Sequence, residues 1–377
     1  MNILVASAFP ADSLFANAVN TIKMADGFAK LGHDVTVVCR KAKCGHLTDK
    51  QLQERFHLST RVTFIQSPGR WYMLPLNIHN AFARQVLHHA RDIRPDFAFS
   101  RNYIAPVRLA AIGVPTVAES HAHVGNTSRP LLRMIQGLGE LHQFKALVTI
   151  APVLRDNFAT LGAPKHKVHV LPDAVDLDLF TRPTDYSKPE RNRPLVVYAG
   201  HLYDYKGIPS ILDAAALSPE FDYRLVGGHD QDIARVADQV RARSLHNVSL
   251  AGRFPHSEVP EQLWASDVLL LPPSAHHPSA QWTSPVKLGE YLASGTPVVA
   301  TRIQALEYWL RNGEVHFVPP EDPQGLVEGI RAVLRERDYA EHMRIKAYAL
   351  AQRISYKERC RRILKVAEVP EIENMDI

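Results

Sequence analysis

Ser284-Pro-Val-Lys287-Leu-Gly-Glu290-Tyr-Leu-Ala-Ser-Gly295-Thr-Pro-Val-Val-Ala300 reads as a loop, a short helix, a glycine stop and a buried strand. Pro285 suits the first turn of a helix, where its missing N–H costs nothing. Gly295 stands where a left-handed C-cap is usual, and Thr296 to Ala300 is an apolar run of the kind buried in a parallel sheet. The first turn of such a helix carries free N–H groups and a partial positive charge, so a phosphate can dock there. Glu290, within two turns of that end, can accept hydrogen bonds from neutral hydroxyls such as those of a ribose. Taken alone, the segment reads more plainly as any loop–helix–strand unit with an exposed glutamate.

The order of the flanking segments says more. The stretch resembles the nucleotide-sugar segment of the retaining glycosyltransferases of family 4, which have the GT-B fold. In that family a glutamate five residues before the glycine binds the donor ribose, and Glu290 stands five before Gly295. A second family glutamate lies eight residues earlier. An ungapped count puts Trp282 at that place, and a count that matches the prolines puts Ser284 there; neither is a carboxylate. Ser284 and Lys287 belong to the same donor segment and are expected to bind the donor with Glu290.

A chain of 377 residues exceeds what one hydrophobic core usually organises, so two domains are expected. With 46% hydrophobic and 22% charged residues the composition is that of an ordinary soluble protein. The net charge of +5 is unevenly placed, at +8 over residues 1–184 and −3 over the rest. A basic first half suggests an anionic partner, whether a phosphorylated acceptor, an acidic lipid surface or nucleic acid; a scattered solvated surface explains it as well. Cys39, Cys44 and Cys360 have neither disulfide-framework nor zinc spacing, which fits a reducing compartment. No basic region precedes the first apolar stretch, as a signal peptide would need. No apolar run approaches the ~20 residues that span a bilayer.

From the N-terminus, residues 2–10 read as a buried strand, 17–32 as an amphipathic helix stopped by Gly32, and 34–39 as a second strand. This βαβ unit opens a doubly wound sheet. Lys30-Leu-Gly-His-Asp-Val-Thr-Val-Val38 resembles the early helix–strand junction of the same family, whose first loop often carries paired glycines. Here Phe15-Ala-Asn17-Ala-Val-Asn20 stands instead, which marks Asn17 and Asn20 as an acceptor-side loop. A dinucleotide site would want GxGxxG, and it is absent. Further strands fit 61–65, 96–99, 114–118 and 146–150, and helices fit 77–93, 130–144 and 152–161. Arg70-Trp71-Tyr-Met-Leu-Pro-Leu76 is either a membrane-surface contact or, more plainly, a half-buried loop.

Val117-Ala-Glu119-Ser-His121-Ala-His123 follows a strand, so its polar groups emerge at the carboxyl edge of the sheet, where open α/β sheets bind ligands. A lone histidine is more often structural, but this position resembles the family histidine that touches the donor sugar. The resemblance assigns that role to His121 and leaves His123 unassigned. Asp176-Leu-Asp178 and Asp230-Gln-Asp232 imitate the metal-binding DxD of the other glycosyltransferase fold, and are read as decoys in a segment leaving the first domain and at a helix start.

The first domain is expected over 1–180, a linker over 181–193, a second domain over 194–345, and a C-terminal helix over 346–377 that packs back on the first. Pro194-Leu-Val-Val-Tyr-Ala-Gly200 is a strand, and His201-Leu-Tyr-Asp-Tyr-Lys206-Gly207 follows it. A glycine there lets a backbone approach a phosphate closely, and Lys206 is either a mobile cation for a diphosphate or a solvent-facing loop lysine. The loop resembles the family loop whose basic residues neutralise the leaving diphosphate. His201 replaces its usual arginine, so that charge becomes conditional on pH. Arg253, after Gly252, resembles the base-contacting turn and is equally a surface arginine. Strands at 223–228, 247–252, 266–274 and 297–300, and helices at 208–217, 304–311, 322–336 and 338–367, complete the second half.

The resemblance implies an α/β protein of two Rossmann-like domains that moves a sugar, with retention, from a nucleotide diphosphate to a hydroxyl of a lipid-linked, polysaccharide or other glycan acceptor. His121 and Lys206 are then catalytic, and Gly200, His201, Arg253, Ser284, Lys287 and Glu290 bind the donor. The nucleotide sugar is a substrate, and no cofactor and no metal ion are expected. An acidic membrane surface is a further partner, nucleic acid is not, and the location is cytoplasmic or peripheral at the inner face of the membrane. A GT-B nucleotide-sugar epimerase and a non-catalytic nucleotide-sugar-binding protein are the alternatives.

Overall fold

The computed structural model describes residues 1–68, 78–101, 104–125, 128–284, 286–311 and 313–368. It divides into two compact units, Met1–Ala174 with the chain from Tyr356 onward, and Val175–Ser355. Pro285 and the segment from Arg70 to Leu76 lie outside the described residues.

The first unit is built on seven parallel strands: β1 (Asn2–Pro10), β2 (Asp34–Arg40), β3 (Thr63–Ser67), β4 (Phe97–Ser100), β5 (Thr116–Ser120), β6 (Phe144–Thr149) and β7 (Val168–Val170), in the order β3-β2-β1-β4-β5-β6-β7. Helices on both faces leave the central strands no solvent, so they read as continuous apolar runs; Ile3, Leu4 and Val5 are fully buried. The order reverses between β1 and β4, and the crevice beyond their carboxyl ends is where such a sheet takes a ligand. Helix Tyr356–Val366 joins this unit against helix Ala16–Ala29 through Cys360, Ile363 and Leu364. The two lie so close that a Cβ on Gly27 would come within 2.8 Å of the Tyr356 carbonyl oxygen.

The second unit has six parallel strands: β8 (Leu195–Ala199), β9 (Asp222–Val226), β10 (Val248–Gly252), β11 (Val268–Leu271), β12 (Val298–Thr301) and β13 (His316–Val318), in the order β10-β9-β8-β11-β12-β13. Its switch point falls between β8 and β11, so the loop from Gly200 to Lys206 leaves the sheet at the ligand edge. The decisive stretch forms helix Val286–Ala293, Gly295 at φ +68°, and then β12. Residues 181–193 pack with this unit, where Tyr186 lies 5.6 Å from Trp264 and Lys188 donates to Asp267 at 2.5 Å.

Several elements differ from the sequence reading. The helix expected over 130–144 ends at Gln136, because Gly137 and Gly139 turn the chain into a short 3-10 segment and β6 begins at Phe144. The helix expected over 338–367 is two, Arg337–Arg353 and Tyr356–Val366, broken at Ile354-Ser355. The first packs in the second unit, and only the residues from Tyr356 on return to the first. Helices Asp49–Arg55 and Ile104–Ala111 and strand β13 were not expected. Among the described residues no helix is long and apolar enough to cross a membrane.

Candidate functional site

In the first unit, β5 is buried along its whole length and carries Glu119 inward, fully shielded from solvent. Residues two apart on an extended chain share a face, so His121 returns toward the same carboxylate: its Nε2 meets Glu119 Oε1, and its Nδ1 lies 3.5 Å from Asp173 Oδ1. The buried Arg359, from helix Tyr356–Val366, donates through Nη1 to Glu119 Oε2 at 2.5 Å and through Nε to the Pro172 carbonyl at 2.6 Å. Arg101 lies 3.5 Å from the same carboxylate. Burial alone would raise the pKa of Glu119, but Arg359, His121 and Arg101 together hold it well below the usual carboxylate range. Glu119, His121 and Asp173 could also place ligand atoms within 4.8 Å of one another, as around a cation. Two guanidiniums on Glu119 oppose that use, since they already balance its charge and would repel a dication.

The same edge of the sheet opens into a cavity of about 970 Å³ that includes His121, His123, Asn17, Arg40, Arg101 and Arg108 in its wall. Asn17 lies in this wall. Asn20 is not part of this wall: it is buried, and its Nδ2 donates to Asp173 Oδ1 at 3.3 Å. Sequence reasoning missed Glu119, Asp173 and Arg359. The spacing of Glu119 and His121 on one strand was a usable signal; nothing in the sequence ties either residue to Arg359.

In the second unit, the strand-end loop, the helix Val286–Ala293 and a cluster of rings converge at the ligand edge. Gly200 has φ +141°, a region that favours glycine, and a Cβ there would run into Lys287 Nζ. Lys287 therefore sits against the backbone at the end of β8, donating to Tyr198 Oη at 2.8 Å and lying 4.0 Å from that ring's centre. Tyr198 donates in turn to the His201 carbonyl at 2.7 Å. Burial, with Lys206 nearby, pulls the Lys287 pKa down to about 7, against a smaller opposing pull from Glu290. Burial also lowers the pKa of Lys206, whose Nζ lies 5.0 Å from the Tyr205 ring centre. His201 is held below its ordinary value by burial and by His229, Lys287 and Lys206. It is thus predominantly neutral at pH 7, and stacks on Tyr203 at 5.1 Å.

These groups form a basic cradle with little internal counter-charge. Two acids act on it, Asp232 on His201 and Glu290 on Lys287, and Glu290 is turned to His256, whose Nε2 lies 3.0 Å from Glu290 Oε1. Arg253 is exposed in the turn after Gly252, and Ser284 is half-buried just ahead of the helix. Of the two DxD pairs, the second borders the cradle, since Asp232 pulls the His201 pKa up against the larger lowering causes. Asp176 and Asp178 flank the start of the short helix Leu177–Phe180, and Asp230 and Asp232 fall in the first turn of helix Asp230–Ala242.

Comparisons with known proteins follow the same division of the chain. A family model described as Glycosyltransferase Family 4 matches residues 18–179, and one described as Glycosyl transferases group 1 matches residues 193–336. A 2-deoxystreptamine glucosyltransferase of Streptomyces kanamyceticus is 27% identical over 231 residues, 53% of this chain and 56% of the relative. A phosphatidyl-myo-inositol mannosyltransferase of Mycobacterium tuberculosis is 27% identical over 212 residues, 52% of this chain and 53% of the relative. The chain thus spans about half the length of the curated relatives it matches. The crystal structure of Anabaena HepE in complex with UDP superposes with a TM-score of 0.73 at 17% identity, over 98% of this chain and 100% of that one, a likeness of fold. With one family model on each half and the fold shared over nearly its whole length, the chain belongs to the family 4 (group 1) glycosyltransferases and has their GT-B fold.

Proposed function

We propose that the protein is a retaining, metal-independent glycosyltransferase that moves a hexose from a nucleotide-diphosphate donor to a hydroxyl of a glycan or lipid-linked acceptor. The observation that carries this reading is the basic cradle at the end of β8, where Lys287 packs against Gly200 and donates to Tyr198 Oη, and where neither Lys206 nor Lys287 forms an ion pair among the described residues. A diphosphate supplies that missing charge. Glu290 binds the ribose after exchanging His256 for its hydroxyls, and Gly200, Ser284 and Arg253 complete the donor contacts.

In the reaction, the bond from the anomeric carbon to the diphosphate breaks as the acceptor oxygen attacks on the same face. The acceptor proton passes to a donor phosphate oxygen, and the leaving group departs with the negative charge that Lys206 and Lys287 are aimed at. His201, neutral at pH 7, contributes less of that charge than an arginine would. His121, fixed by Glu119 and Asp173, meets the sugar. The named relatives, a 2-deoxystreptamine glucosyltransferase and a phosphatidyl-myo-inositol mannosyltransferase, support a role in glycoconjugate or cell-envelope synthesis. Three free cysteines suit a cytoplasmic setting.

The experiment is turnover of a labelled nucleotide-sugar panel with lipid and polysaccharide primers, in excess EDTA and without it. Transfer that survives EDTA supports the reading. Loss of transfer in EDTA, restored by manganese and lost again in Asp176→Asn or Asp230→Asn, would replace it with metal-dependent chemistry. The non-catalytic reading is favoured by one observation, the absence of the family's second glutamate and loop arginine at Trp282, Ser284 and His201. Tight UDP binding with no transfer to any primer is its signature.

A further inference from the structure

Three arginines from separate elements converge on the cavity of the first unit: Arg40 ends β2, Arg101 follows β4, and Arg108 lies on helix Ile104–Ala111. None of the cavity's described lining residues is a carboxylate. Their states differ in a way that matters. Arg101 is partly satisfied by Glu119, 3.5 Å away. Arg108 donates to a neutral partner, Asn80 Oδ1, at 2.7 Å. Arg40 has its Nε buried with no hydrogen-bond partner, and it makes no ion pair among the described residues. Taking the Arg40 Nε–H out of water without a partner is costly, and cations lining one cavity also repel each other. An arrangement of this kind is stable in use when an oxyanion enters and accepts from both forks.

We propose that the cavity binds an acceptor through a phosphate group held by Arg40 and Arg108, so that the sugar-accepting substrate is a phosphorylated molecule. The proposal deepens the glycosyltransferase reading and rests on it for the word acceptor; the phosphate site itself does not. The same wall includes apolar side chains, Ile104, Val107 and Leu131. Leu14 and Phe15, 52% and 68% exposed, stand just before Asn17 of the same wall. The phosphate therefore meets the arginines while the rest of the acceptor lies along apolar surface, which suits a phosphate carried by a lipid as well as one on a free sugar.

Calorimetry separates these cases, with inorganic phosphate, glucose 6-phosphate, farnesyl phosphate, glucose and glucuronate as probes and UDP as the reference for the second unit. Phosphorylated probes should bind about tenfold or more tightly than glucose, as expected for charge-assisted bonds. Arg40→Gln and Arg108→Gln should each remove about that factor, Arg40→Lys should remove less, and UDP affinity should not change in any of them. Farnesyl phosphate binding more tightly than glucose 6-phosphate assigns a lipid carrier, and the reverse assigns a soluble sugar phosphate. Glucose 6-phosphate binding no better than glucose overturns the proposal, as does phosphate binding that survives in an Arg40→Gln/Arg108→Gln double variant that still binds UDP. Glucuronate binding in place of the phosphates overturns it in favour of an acidic sugar. Failure of UDP alone to bind would sink the glycosyltransferase reading and leave the phosphate site standing.

Discussion

In the first unit Glu119 and Arg359 are both buried and meet each other at 2.5 Å, with His121 and Arg101 completing the balance. In the second, Lys206 and Lys287 are half-buried, and among the described residues Lys287 donates to a tyrosine hydroxyl and forms no ion pair. Both places pay to desolvate charge. In one, the counter-charge comes from the chain itself and the result is architecture, tying helix Tyr356–Val366 to β5. In the other neither lysine forms an ion pair among the described residues, and burial holds both pKa values down. A buried charge with its partner is evidence about folding, whereas a buried charge without one is evidence about a ligand.

The largest effect expected from that contrast lies in the first unit. Arg359→Met removes the largest counter-charge from buried Glu119, leaving it His121 and Arg101, and should cost about 3 kcal/mol of stability in urea unfolding followed by circular dichroism. Adding Glu119→Gln should recover part of it. Glu119 has a folded pKa below its ordinary 4.5, so the stability it lends is present above pH 4.5 and is lost as pH falls below that value. Glu119→Gln should lack this acid limb. An Arg359→Met protein as stable as wild type would break the comparison at its stronger end.

Next in size is the donor cradle. Lys206→Ala and Glu290→Ala should each weaken UDP binding by about tenfold, the worth of a charged hydrogen bond. Because Lys206 faces the leaving group, its loss should lower kcat by far more than it weakens binding, whereas Glu290→Ala should act mainly on binding. Equal kcat and binding losses for Lys206→Ala would make that lysine a ground-state contact only.

The smallest effect has the opposite sign. The folded Lys287 has a pKa of about 7 against 10.5 in a free lysine, so between those values the unfolded chain holds a proton that the folded one has shed. Stability from this residue therefore rises with pH across that window, and the penalty is complete below about pH 7. Lys287→Met should raise the melting temperature of the nucleotide-free protein by roughly 2–4 °C near pH 7, the shift that ~1 kcal/mol makes in a domain of this size. The gain should fade by pH 10.5. The same variant should bind UDP more weakly. A Lys287→Met protein that is no more stable than wild type at pH 7 would mean that Lys287 is already compensated.

Much of the fold was legible. Apolar runs such as Leu195–Ala199 and Val298–Thr301 became central strands, and the spacing of Glu290 to Gly295 marked helix, cap and strand. Some misses were readable. Thr48 and Gln51 form a capping box at the start of helix Asp49–Arg55, a pattern present in the sequence and passed over. The overrun from 130 to 144 came from reading apolar spacing through Gly137 and Gly139, and the overrun from 338 to 367 from reading it through the break at Ile354-Ser355.

By itself the sequence determined the succession of strands and helices, the two glycine-marked strand ends, and the placing of His121 and Lys206 at the carboxyl edge of a sheet. Those follow from spacings of a few residues, which local backbone geometry converts into faces and ends. Only the tertiary structure decided which charges are balanced. Glu119 and Arg359 are 240 positions apart, and Gly200 and Lys287 belong to separate strand and helix segments that meet only on folding. Whether a charge needs a ligand depends on the distance to its counter-charge and on the water left around it, and both are set by packing among residues remote in the chain.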